Sequence, residues 1–125
     1  MEKSTLLKIQ ETEFLILCEF DRICRKYDIK YSLFGGTLLG AIRHKGFIPW
    51  DDDIDVCIVR EEFNKFLEHI SELGDDFFFQ SHKTDKNYFG CEKIRYKNSL
   101  LVERDYYKKK MCHGVWIDIM VLDHA

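Results

Sequence analysis

A short acidic run at residues 51–55, Asp-Asp-Asp-Ile-Asp, places four carboxylates within five positions and leads into apolar residues typical of a strand. Side chains two positions apart share one face of a strand, so Asp53 and Asp55 are expected about 6.6 Å apart along it. Asp51 joins them if the strand extends backwards. Carboxylates this close repel one another, and a hard divalent cation such as Mg²⁺ or Mn²⁺ relieves that repulsion. The run therefore predicts a metal site, with a solvated acidic loop as the alternative.

Asp118 is a further acidic residue in an unusual place, because residues 115–122 are otherwise apolar and predict a buried strand. Burying an unpaired carboxylate costs several kcal/mol, so Asp118 should meet a cation. That cation is either a basic side chain in a structural salt bridge or a metal ion shared with Asp53 and Asp55. The sequence leaves both open.

A glycine turn, Gly35-Gly36-Thr37, follows a predicted strand and opens a predicted helix. Glycine lets the backbone approach a phosphate closely, and a helix N-terminus presents free N–H groups to it. Most such turns are only turns, but two acid-bearing strands follow this one. A phosphate turn followed by clustered carboxylates predicts phosphoryl transfer, with Asp53, Asp55 and Asp118 as catalytic residues.

Basic side chains on a loop and on a later strand are candidate contacts for phosphate or substrate. The first group is Arg43, which ends the predicted helix 37–43, with His44 and Lys45 at the start of the following loop. The alternative for this group is a solvated basic turn that pairs with the acids, and His44 is also a candidate general base. Arg95 alternates with Lys93 and Lys97 on the later strand, where these residues form either a substrate clamp or a solvated face.

Hydrophobic periodicity predicts the elements that position these residues. Helices are expected at 4–27, at 37–43 with Thr37 as the N-cap, and at 60–73 with Gly74 as the stop. Strands are expected at 29–33, 53–59, 77–79 and 115–122, and a hairpin is expected between 91–96 and 99–104. The fold class predicted is α+β, a mixed β-sheet packed against helices.

Composition excludes several classes of protein. The 125 residues fit one domain, 1–125, and 46% hydrophobic with 33% charged residues argues against disorder. A net charge of −3 disfavours a nucleic-acid partner.

No apolar stretch approaches the roughly 18 residues of a membrane span, and the start lacks a signal peptide, so we expect a cytoplasmic location. The five cysteines lack a CxxC pair and no zinc-hydrolase histidine pair occurs, so a disulfide framework, a thiolate zinc site and a zinc hydrolase are all disfavoured. Most cysteines are expected to be buried.

The ungapped run 35–56, from the glycine turn through the acidic cluster, closely resembles the signature of the LicD family, which includes bacterial phosphocholine transferases and is related to fukutin and fukutin-related protein. Residues 19–24 and 113–119 are also similar to the family. The resemblance implies a nucleotidyltransferase-like fold and Mg²⁺-dependent transfer of phosphocholine or a polyol phosphate such as ribitol phosphate. The implied donor is CDP-linked, and the implied acceptor is a cell-surface glycan, as in lipopolysaccharide or teichoic acid modification.

By motif position, the resemblance implies that Gly36 and Thr37, beside Gly35, hold donor phosphate. It implies that the metal ligands are Asp51, Asp53, Asp55 and Asp118. Family members are usually longer, so we expect these residues to be the core of a larger protein or a reduced version of one. Two alternatives stay open: a minimal nucleotidyltransferase that attaches a nucleoside monophosphate to a small molecule or protein, and a non-catalytic nucleotide-binding scaffold. The sequence leaves the oligomeric state open.

Overall fold

A computed structural model describes residues 3–81, 83–84, 91–97 and 114–123. Its helices and strands form an α+β fold, as predicted. The helices are α1 (Lys3–Lys26), α2 (Gly35–Arg43) and α3 (Arg60–Leu67), with a 3₁₀ turn at Ile70–Glu72. The strands are β1 (Ser32–Leu33), β2 (Asp55–Val59), β3 (Phe77–Gln80), β4 (Glu92–Tyr96) and β5 (Val115–Leu122).

The five strands form one mixed sheet in the order β1-β2-β5-β4-β3. β2 and β5 are parallel neighbours at its centre, and the other pairs are antiparallel. The β2–β5 register places Asp55 directly beside Asp118. The sheet therefore brings together two acids that lie far apart in the sequence.

One face of the sheet carries the hydrophobic core, because alternate residues of each strand point to the same side. Ile54, Val56 and Ile58 are all buried there, as their spacing predicts. α1 and α3 pack on this face, and the ring of Phe20 in α1 lies 5.0 Å from that of Phe66 in α3. Asp55 and Asp118 occupy alternate positions, so they belong to the opposite face.

The helix predicted at 60–73 is broken in the structure. α3 ends at Leu67, and the chain continues into the 3₁₀ turn. Contacts with the end of α1 explain the break, since the ring of His69 stacks on Tyr27 at 3.4 Å and Lys26 donates to a Glu72 carboxylate oxygen at 2.8 Å. These tertiary contacts replace the last turn that the apolar spacing predicts.

Four other local predictions also differ from the structure. β1 covers only Ser32–Leu33, and β2 begins at Asp55 rather than at 53. The hairpin prediction is wrong for β4, because both edges of Lys93–Tyr96 are already paired, one with β3 and the other with β5. Its proposed second strand, 99–104, lies outside the described residues. The prediction that most cysteines are buried is also wrong for the four that the structure describes, because Cys24 alone is buried.

Within the described part of the chain, no helix combines the length and the apolar character that crossing a bilayer requires.

Candidate active site

The glycine turn packs directly against the acidic run. α2 begins at Gly35, whose φ of +57° lies in the left-handed region that favours glycine. A Cβ on Gly36 would lie 2.7 Å from the Asp51 carboxylate oxygen Oδ2. The absence of a side chain at Gly36 therefore lets the Asp51 carboxylate approach the N-terminus of α2, where the helix dipole favours negative charge.

Thr37 holds the backbone of the acidic residues rather than capping α2. The prediction of an N-cap is wrong, since Phe34 precedes the helix and makes no side-chain cap. The Thr37 hydroxyl accepts a hydrogen bond from the Asp55 N–H at 2.9 Å and donates to the Asp53 carbonyl at 3.5 Å. Thr37 thereby fixes the point at which the acidic turn becomes β2.

Asp51, Asp52 and Asp53 form a carboxylate cluster in the turn before β2. Ligand oxygens of all three lie within 4.8 Å of one another, and the Asp53 N–H donates to Asp51 Oδ1 at 3.3 Å. Asp51 reaches Asp53 through this turn. A strand that extends backwards to Asp51, which the sequence analysis required for this, does not form, because β2 begins at Asp55. Asp52 is not among the predicted metal ligands, although its position inside the acidic run is a sufficient signal.

Asp55 and Asp118 form a second acidic pair across the two central strands. Partial burial, followed by the charges of Asp118 and Asp53 and a hydrogen bond with Asp118, raises the pKa of Asp55 to about 6. Burial and the neighbouring acids also raise the pKa of Asp53. The charges of Asp51 and Asp52 in the turn and of Asp118 on β5 all act on Asp53. The turn cluster and the strand pair therefore form one region of concentrated negative charge.

Asp118 also meets a basic side chain, which was one of the two alternatives. Lys93 of β4 lies opposite Asp118 in the sheet, and its ammonium donates to Asp118 Oδ1. Lys93 is only 6% exposed and lies over the Trp116 ring at 5.1 Å, so the predicted solvated face is wrong at this position. The thiol of Cys91 lies 3.3 Å from the same carboxylate oxygen.

Arg95 is a structural residue of the sheet. It is 1% exposed, and it donates to the Gln80 side-chain oxygen and to the Gly114 carbonyl, both at 2.6 Å. Its guanidinium also lies 4.6 Å from the centre of the Trp116 ring. A side chain with so little exposed surface has none to offer a substrate, so the structure does not support the predicted substrate contact at Arg95.

The three predicted basic contacts differ in their relation to the site. Arg43 ends α2, and His44 and Lys45 follow it in the loop. Arg43, His44 and Lys45 are all exposed. Lys45 borders a largely apolar cavity of about 420 Å³ that Gly36, Thr37 and Asp51 also line. The structure therefore brings Lys45 to the glycine turn, whereas His44 has a ring contact with Trp50 at 6.4 Å.

Two polar residues of α1 support the acidic turn, and sequence reasoning missed both. Gln10 donates from Nε2 to the Asp51 carbonyl at 2.7 Å, and Glu13, 3% exposed, lies close enough to the acidic turn for its charges to act on the Glu13 carboxyl group. Burial, followed by the charges of Asp53 and Asp52, raises the pKa of Glu13 to about 9. The available signal was a polar pair, three positions apart, on a helix face that is otherwise apolar.

The donor set suits a hard divalent cation. The turn cluster and the Asp55–Asp118 pair consist of carboxylates, which are the ligands that Mg²⁺ and Mn²⁺ prefer, although only Asp51, Asp52 and Asp53 have oxygens within 4.8 Å of one another among the described residues. The raised pKa values of Asp53 and Asp55 show that these acids experience mutual repulsion and partial burial, both of which a cation would offset. The residues present therefore fit such an ion.

Comparisons with known proteins give one consistent result. Residues 28–123 match the family described as LicD/FKTN/FKRP, nucleotidyltransferase domain. A lipopolysaccharide cholinephosphotransferase, LicD, of Haemophilus influenzae is 56% identical over 68 residues, which cover 54% of this chain and 26% of that protein. Human ribitol 5-phosphate transferase FKRP is 53% identical over 101 residues, covering 77% of this chain and 20% of that protein.

A Rickettsia typhi protein of unassigned function is 30% identical over 117 residues, covering 78% of this chain and 37% of that protein. The chain thus spans between a fifth and two fifths of the length of these three relatives.

Proposed function

The chain belongs to the LicD/FKTN/FKRP family, and from this membership we propose that it is the catalytic core of a transferase that moves a phospho-substituent to a glycan. The relatives support this reaction class, because one is named a cholinephosphotransferase of lipopolysaccharide and another a ribitol 5-phosphate transferase. We propose phosphocholine or a polyol phosphate as the group transferred, a CDP-linked nucleotide as the donor, and the cytoplasm as the location.

The observation that carries the proposal is the pairing of Asp55 with Asp118 on adjacent parallel strands, next to the Asp51–Asp53 cluster. We propose that Mg²⁺ or Mn²⁺ is held by Asp51, Asp53, Asp55 and Asp118. Asp52 is a further carboxylate beside Asp51 and Asp53. When bound, the cation would neutralise charge on the transferring phosphoryl group.

The protein's own residues would bind and orient the donor. Gly36 lies at the N-terminus of α2, where backbone N–H groups favour phosphate oxygens. Lys45, which lines the same cavity as Gly36 and Thr37, would add a positive charge near the same phosphates. Lys93 pairs with the Asp118 carboxylate in the metal-free protein and would compete with the cation for it.

Product analysis tests the proposal and separates it from its alternatives. The chain is incubated with Mn²⁺, CDP-choline or CDP-ribitol, and a glycan acceptor, and phosphorus NMR follows the products. Release of CMP with the phospho-substituent on the acceptor supports the proposal. Attachment of a nucleoside monophosphate to the acceptor would indicate a nucleotidyltransferase instead. Donor binding without turnover, in a preparation whose Asp55→Asn variant binds equally well, would indicate a scaffold.

A further inference from the structure

We infer that the cavity beside the glycine turn selects the head group of the donor, with Phe14 of α1 and Ala41 of α2 as specificity-determining residues in its wall. The cavity fits an apolar cation, such as the trimethylammonium group of choline, better than a polyol. This inference rests on the proposed function, because it distinguishes between the two donors named there. The volume of about 420 Å³ lies within the range of small-molecule sites, roughly 300–1,000 Å³.

The position of the cavity connects it to the proposed phosphate site. Gly36 and Thr37, in the first turn of α2, line the cavity together with Lys45. A donor phosphate held by these residues would lie at the wall of the cavity. The group that the phosphate carries would then extend into the space between α1 and α2.

Apolar side chains form most of the wall. α1 contributes Phe14 and Leu17, α2 contributes Ala41, and the loop after α2 contributes Phe47 and Ile48. Phe14 is 58% exposed, so its ring is open to a ligand. An aromatic ring attracts a quaternary ammonium ion, and the methyl groups of such an ion gain free energy when they leave water. Both effects favour a trimethylammonium group in this cavity.

Polar side chains in the wall offer few partners to a polyol. Among the described residues that line the cavity, Thr37, Lys45 and Asp51 alone carry polar side chains. The Thr37 hydroxyl already accepts from the Asp55 N–H and donates to the Asp53 carbonyl. The hydroxyl groups of ribitol would lose water on entering the cavity, and each one left without a partner weakens binding.

Two variants of the 125-residue chain and one control test this inference. Ala41→Leu fills part of the cavity from an exposed helix position, and Phe14→Leu removes the ring but keeps an apolar side chain. Leu15→Ala is the control, because Leu15 is an exposed apolar residue of α1 outside the cavity wall. Calorimetry with Mn²⁺ present measures the affinities for phosphocholine, ribitol 5-phosphate and CMP.

We expect the parent to bind phosphocholine at least about tenfold more tightly than ribitol 5-phosphate. Ala41→Leu should weaken phosphocholine binding at least about tenfold and Phe14→Leu about two- to fivefold, while CMP affinity stays within about twofold in both. Leu15→Ala should change none of the three affinities. Equal affinities of the parent for phosphocholine and ribitol 5-phosphate would overturn the inference. A selective loss of CMP affinity in Ala41→Leu would also overturn it, since the cavity would then hold the base.

Further outcomes separate this inference from the proposed function. A parent that binds phosphocholine, with the expected loss in Ala41→Leu, but neither Mn²⁺ nor CDP-choline would refute the proposed transfer and support the inference. A parent that binds Mn²⁺ and CDP-ribitol but not phosphocholine would overturn the inference alone. Should Ala41→Leu fail to fold, Phe14→Leu decides, and unchanged phosphocholine affinity in that variant would overturn the inference.

Discussion

Asp55 and Asp118 lie side by side on the two central, parallel strands, and Lys93 reaches Asp118 from the strand on its other side. The arrangement places two like charges and one buried opposite charge in a row across the sheet. Lys93 thus balances part of the negative charge in the metal-free protein, and the Asp51–Asp53 turn adds more acids beside it.

Replacing Asp118 by asparagine should destabilise the metal-free protein. The change removes the carboxylate charge that pairs with the buried Lys93 ammonium, at a cost of roughly 1–3 kcal/mol because Asp118 itself is partly exposed. Urea denaturation in EDTA measures the free energy of unfolding. An Asp118→Asn protein more stable than the parent would mean that repulsion between the acids outweighs the ion pair.

Replacing Lys93 by methionine should change metal-free stability and metal affinity in opposite directions. Stability should fall, because the Asp118 carboxylate loses its compensating charge beside Asp55. Mn²⁺ affinity should rise several-fold, because the competing cation is gone. Calorimetry on the folded protein checks the second effect, and an affinity that falls or stays constant would argue that Asp118 does not face the bound ion.

The free energy of unfolding should depend on pH through the titration of Asp55. Its folded-state pKa is raised from 3.8 to about 6, so its contribution is fully present below about pH 4 and is lost as pH rises through 6. After allowance for solvent screening, this amounts to roughly 1–2 kcal/mol. Unfolding of the parent and Asp55→Asn should therefore diverge between pH 4 and 7 in EDTA, with the variant gaining relative stability. Parallel pH profiles would contradict the assignment.

Adding a methyl group at Gly36 should disturb the acidic turn. Gly36→Ala places a Cβ 2.7 Å from Asp51 Oδ2, so that carboxylate must move. We expect a loss of about 1 kcal/mol in stability and a several-fold weaker Mn²⁺ affinity. Gly46→Ala is the matched control, because a Cβ there meets no atom within 4 Å. Equal Mn²⁺ affinity in both variants would mean that Gly36 does not position the Asp51 carboxylate for the ion.

Local patterns predicted the elements that carry the acids but not every partner of those acids. Alternating apolar residues placed Asp55 and Asp118 on strands, and the cost of burying Asp118 predicted a cation beside it. Lys93 was not identified as that cation, because the pairing of β4 with β5 joins residues 25 positions apart and leaves no local signal. Glu13 has no local signal for a similar reason, since it meets the charges of Asp52 and Asp53 only once the acidic turn packs on α1.

We propose that the acids on β2, on β5 and in the preceding turn together form one binding site for a hard divalent cation. Titration of Mn²⁺ into the protein, followed by electron paramagnetic resonance, tests it most directly. We expect saturable binding that Mg²⁺ displaces, strongly weakened in Asp55→Asn and unchanged in Gly46→Ala. Binding that is absent in the parent, or equally strong in Asp55→Asn, would contradict the account.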